Sequence, residues 1–147
     1  MKKLSSMNDM LDFAISGESK AAELYMKMAA TAENPWMRKA LEGFAQEELQ
    51  HHKKLKAVRA GRSTLEREGV GDLGLADKLD DVEPRPDMDY PELLVFAIKK
   101  ENVSHGLYTR LASIFTEPEL QETFLTLAEQ EAEHKRRFKM EYESLTS

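Results

Sequence analysis

Two Glu-x-x-His segments, Glu48 to His51 and Glu131 to His134, are the best equipped for chemistry in this 147-residue sequence. Each is preceded thirty residues earlier by a glutamate, Glu18 and Glu101, and all three pairs share one offset of 83 residues. Four carboxylates and two imidazoles are the donor inventory of a two-metal site. One Glu-x-x-His in a charged helix is a commonplace of solvated surfaces. Two in register, each with its upstream glutamate, are not.

The offset extends well beyond these residues. Residues 11–55 laid on 94–138 without gaps share twelve identities, among them Phe13/Phe96, Ala14/Ala97, Ile15/Ile98, Leu24/Leu107, Tyr25/Tyr108 and Pro35/Pro118. The chain therefore reads as two copies of one unit. Hydrophobic periodicity, polar caps and prolines in first turns place helices near 6–33, 35–60, 89–116 and 118–144. Ser6 and Asp89 are the expected N-caps of the first and third helices, with Pro91 in the first turn of the latter. Trp36 opens the second helix and is expected to anchor its end. Residues 61–88 are rich in glycine, acidic residues and proline, with a short helical turn expected around Leu73–Leu79. A helix of this length measures roughly 40 Å, which about 12 extended residues can span. The expected fold is thus all-α: a ferritin-like four-helix bundle of two repeated helical hairpins (6–60 and 89–144) joined by a long crossover, in a single domain over 1–147.

The glutamates fall on stripes that should face the bundle core. Helix two gives Leu41, Phe44, Glu48, His51 and Leu55; helix four gives Phe124, Leu127, Glu131, His134 and Phe138. Helix one gives Leu11, Ala14, Glu18, Ala21, Tyr25 and Met28; helix three gives Leu94, Ala97, Glu101, Ser104, Tyr108 and Leu111. Burying four carboxylates together is very costly unless cations neutralise them. Counting residues back from each hairpin turn brings all six side chains to one level, within about one helical turn. Tyr25 and Tyr108, two turns past Glu18 and Glu101, are placed either to donate to a ligand carboxylate or bound oxygen species, or simply to pack. His105, one turn beyond Glu101, reads as a partly exposed histidine, with a role beside the metals as the alternative. His52 reads as a surface residue, and the methionines, including Met26, Met28 and Met37, as gap-fillers.

Composition excludes other classes. A net charge of −6 and a pI near 5.3 disfavour nucleic acid and anionic membranes as partners. No apolar run approaches the roughly 20 residues of a membrane span, and the residues after Lys2 and Lys3 are too polar for a signal peptide. A cytoplasmic location is the expectation. The absence of cysteine removes disulfides, zinc–thiolate knuckles, iron–sulfur clusters and thiol redox chemistry. The basic runs after each Glu-x-x-His read as solvated faces near helix C-termini.

Phe-Ala-Ile-x-x-Glu at 13–18 and 96–101, Leu-Tyr at 24–25 and 107–108, and the two Glu-x-x-His motifs resemble the rubrerythrin-like branch of the ferritin-like di-iron carboxylate proteins. The resemblance implies two iron ions, with manganese or mixed occupancy as the alternative. Glu48 and Glu131 would bridge the metals, with Glu18 and His51 as terminal ligands on one side and Glu101 and His134 on the other. It implies a redox-active centre reacting with peroxide or dioxygen. Rubrerythrins carry a cysteine-ligated rubredoxin domain; here an external electron-donor protein is expected instead. An additional glutamate of that family, one turn after the third-helix ligand, is replaced by Ser104, with Ala21 as its repeat mate. Small residues there leave space beside the metals and depart from the rubrerythrin peroxidase pattern. A homodimer is the expected assembly. The alternatives are ferritin-type iron storage and a metal-stabilised bundle without catalysis.

Overall fold

The computed structural model describes residues 6–61 and 84–147, and these form four helices: α1 (Met7–Thr31), α2 (Pro35–Ala60), α3 (Tyr90–Ile114) and α4 (Pro118–Thr146). Each start has a local cause. The Ser6 hydroxyl accepts from the Asp9 amide at 3.0 Å, and Asn34 Oδ1 accepts from the Trp36 and Met37 amides. Asp89 and Glu92 form a reciprocal capping box, two bonds of 2.9 Å that satisfy two amides the helix cannot. Proline follows the cap in α2, α3 and α4, where its missing amide costs nothing.

The hairpin turns are closed by one device used twice. Arg38 donates to the Ala32 carbonyl at 2.6 Å, and its repeat mate Gln121 donates to the Phe115 carbonyl at 2.7 Å. Each side chain reaches back from the start of the second helix to a carbonyl left open at the end of the first.

Apolar side chains collect in two clusters. One joins the start of α1 (Met7, Met10, Leu11), the end of α2 (Leu55), the end of α3 (Leu107, Leu111, Phe115) and the start of α4 (Phe124, Leu127). The other joins the end of α1 (Leu24, Met28), the start of α2 (Met37, Leu41), the start of α3 (Leu93, Leu94) and the end of α4 (Phe138). It follows that α1 runs antiparallel to α3, and α2 antiparallel to α4. The end of α2 and the start of α3 lie at opposite ends of the bundle, so the connection between the hairpins is a crossover. The turn expected around Leu73–Leu79 lies outside the described residues. Within each hairpin the helices pack closely; α1 also packs on α3, while α2 and α4 approach more loosely.

Every residue of the four stripes is buried except Ser104, which is half-buried. Three sequence expectations need correction. Trp36 does not anchor α2: it is 81% exposed, and Met37, at 3%, fills that role. Asn34 caps the backbone amides of both residues, and helical spacing puts Met37, not Trp36, on the stripe with Leu41 and Phe44. Met26 lies on the surface at 48% exposure rather than filling a core gap. His52 is half-buried, and its Nδ1 donates to the Ile15 carbonyl at 2.9 Å, tying α2 to α1. Denaturant unfolding should therefore separate two neighbours. Met37→Ala is expected to cost about 2–5 kcal/mol, and Trp36→Ala to stay within about 0.5 kcal/mol of wild type.

Candidate metal centre

Between the two apolar clusters lies a polar layer. Glu18, Glu48, His51, Glu101, Glu131 and His134 are all buried, none more than 4% exposed. The structure thus brings together all six residues singled out in the sequence. They fall into two overlapping sets: Glu18, Glu48, His51 and Glu131, and Glu48, Glu101, Glu131 and His134. Within each set one donor atom per residue lies within 4.8 Å of all the others. Glu48 and Glu131 belong to both.

The distances repeat across the duplication. His51 Nδ1 lies 3.2 Å from Glu18 Oε2, 3.2 Å from Glu131 Oε1 and 3.7 Å from Glu48 Oε1. His134 Nδ1 lies 3.0 Å from Glu101 Oε2, 3.2 Å from Glu48 Oε1 and 3.9 Å from Glu131 Oε1. Each imidazole thus faces the first-helix glutamate of its own hairpin and the bridging-position glutamate of the other.

The inward atoms lack the partners that buried polar atoms normally have. Both oxygens of Glu48, Glu101 and Glu131, one of Glu18 and Nδ1 of both histidines make no hydrogen bond. They are close enough to share an ion, but not aligned to satisfy one another. Electrostatics tell the same story. Burial pushes Glu48 well above the usual carboxylate range, and the charges of Glu131, Glu18 and Glu101 push it further. Burial and then Glu101 raise Glu131 to about 7. Burial and Glu131 raise Glu18, against the pull of His51. Burial alone would lower His51, but Glu131 and Glu18 outweigh it and push the imidazole up to about 10. The same contest raises His134, with Glu101 as the main partner. A donor set of this chemistry fits two hard or borderline cations, which would supply every orphaned atom with a partner.

Outer contacts hold the layer in place. The Tyr108 hydroxyl donates to Glu18 Oε1 across the hairpins, leaving the other oxygen free. Tyr25 is equally buried, beside Glu101. Burial, then the nearby glutamate, raises both phenols well above 10, so their protons stay in place. His51 Nε2 donates to Gln130 Oε1 at 2.6 Å, and His134 Nε2 to Glu47 Oε1 at 3.3 Å. The sequence reading missed Glu47 and Gln130, although they too are repeat mates, directly before Glu48 and Glu131. His105 is exposed, as its first reading had it.

A sequence model of the family Rubrerythrin matches residues 9–73 and 92–147, well over half of the chain. The chain belongs to the rubrerythrin family. Its metal-ligand chemistry agrees with that membership: rubrerythrins bind paired iron, and this member buries carboxylate and imidazole groups that fit a metal site. Among solved structures, a hypothetical protein from Pyrococcus furiosus shares the fold at a TM-score of 0.73 and 22% identity, over 94% of this chain and 89% of that one. No curated protein sequence matches this rubrerythrin-family chain significantly. Among its described residues no helix is long and apolar enough to cross a membrane.

Folding raises Glu48, Glu131 and Glu18, so without metal the folded state binds more protons than the unfolded chain. For Glu131 that contribution is complete below the ordinary 4.5 and is lost as pH rises through about 7. His51, raised from 6.5 to about 10, extends the loss toward alkaline pH. The Tm of metal-free protein should therefore fall between about pH 5 and pH 9. Added metal should restore it most at the alkaline end. A metal-free Tm that climbs over this range would contradict the assignment.

Proposed function

We propose that the protein binds two metal ions, iron in the first instance, and is a non-haem di-iron oxidoreductase acting on peroxide or dioxygen. Manganese or mixed occupancy would suit the same donors. The observation that carries the reading is the sharing of Glu48 and Glu131 by both ligand sets. In this reading Glu48 and Glu131 would be shared by both ions, Glu18 and His51 would hold one, and Glu101 and His134 would hold the other. When bound, a redox-active metal pair would supply electrons for the reduction of peroxide or dioxygen.

The chain's own residues do the rest. The four carboxylates offset the charge of the ions, and the two apolar clusters keep bulk water from the layer. Tyr108 fixes the rotamer of Glu18 by holding one oxygen, so that the other points inward. Ser104 and Ala21 are small where a further carboxylate would crowd the pair. Reduction of peroxide to two waters consumes two electrons and two protons. In this reading an external electron-donor protein returns the electrons. A homodimer, a cytoplasmic setting and a role in oxidative stress belong to the same reading.

Rapid mixing of the ferrous protein with peroxide tests it. Wild type should reoxidise much faster than the Glu48→Ala, Glu131→Ala double variant, which should fall to the rate of free ferrous ion. Equal rates would leave a metal-stabilised bundle without catalysis. Uptake of many irons per chain into a large hollow assembly, seen by light scattering, would instead support storage.

A further inference from the structure

The two halves of the centre match at every inward position, Glu18/Glu101, Glu48/Glu131 and His51/His134, but not around the imidazoles. His134 Nε2 faces a carboxylate, Glu47 Oε1 at 3.3 Å. The equivalent atom of His51 faces a carboxamide, Gln130 Oε1 at 2.6 Å. Both acceptors reach across from the opposite hairpin, α2 to α4 and α4 to α2.

This difference has an electronic consequence. An imidazole that donates its outer N–H to a carboxylate is a stronger metal donor than one bonded to a neutral amide. The Gln130 bond is the shorter, but it presents a dipole where Glu47 presents a full negative charge. One further asymmetry acts in the same direction. The Phe44 ring lies against the His134 ring at 4.3 Å, fixing its orientation, whereas the repeat mate of Phe44 is the aliphatic Leu127.

We propose that Glu47 and Gln130 are positioning residues that make the two half-sites unequal, so that the Glu101–His134 half takes up its metal ion first and holds it more tightly. The inference rests on the two-metal reading above and adds an order of filling to it. Glu47 is 43% exposed, so water screens part of its charge. The effect belongs near the lower end of the roughly 10–100-fold range seen for such outer partners.

Anaerobic titration of the metal-free protein with Co²⁺ alone, followed by calorimetry and visible ligand-field absorption, reads the order directly. Two ions should bind, the first more tightly than the second. Glu47→Gln should weaken the first step by about tenfold and narrow the gap. Gln130→Glu should tighten the second by a similar factor. Both substitutions are nearly isosteric and stand at half-buried positions, and circular dichroism would establish that each variant is folded. Affinities that neither variant moves, or a Glu47→Gln change confined to the second step, would overturn the proposal. Wild type that binds fewer than two Co²⁺ ions would overturn the two-metal reading itself, before any variant is compared.

Discussion

Four carboxylates share one buried layer, and the rest of the structure answers to that repulsion. At an effective dielectric near 20, two unit charges 4 Å apart repel by about 4 kcal/mol, and each also loses hydration. Within each of the two overlapping ligand sets the inward donor atoms, three of them carboxylate oxygens, lie within 4.8 Å of one another. Such an arrangement persists only if cations enter it, or if protons neutralise part of it. Without cations the second course is the one open to it, and burial among like charges raises Glu131 to about 7 while the neighbouring carboxylates raise His51 to about 10.

The bundle is arranged to sustain that layer. Two apolar clusters close it above and below, and stacked or tilted rings brace both: Phe115 on Phe124 at one end, Tyr25 on Phe138 at the other. The repeated helical hairpin explains how one chain supplies six convergent ligands. Each hairpin sets its own glutamate and Glu-x-x-His at one height, and the Arg38 and Gln121 bonds fix the turn that determines it. The crossover then reverses one hairpin against the other, which brings the heights into coincidence. The outer contacts of the histidines depart from the symmetry, and there hydrogen bonds join the loosely packed α2 and α4.

Much of this was legible in the sequence because duplication doubles every signal. A glutamate on an apolar stripe is ambiguous once; at a fixed offset of 83 residues it is not. Caps at Ser6 and Asp89 and prolines in first turns located the helices to within a few residues. Trp36 misled because large aromatic area suggests burial, while direction is set by position on the helix: Met37, not Trp36, is in phase with Leu41 and Phe44. Glu47 and Gln130 were missed because they lie off the stripe of their own helix. Their partners belong to the other hairpin, and helix periodicity carries no information about that. The tyrosines were half legible: position allowed either a bond to a glutamate or simple packing, and the Tyr108 hydroxyl donates to Glu18.

Anomalous diffraction at the iron edge, from crystals of iron-loaded protein, tests the central claim most directly. The account predicts two peaks per chain a few ångströms apart, each next to one histidine, with Glu48 and Glu131 between them. A single peak, or peaks only at the surface, would contradict it.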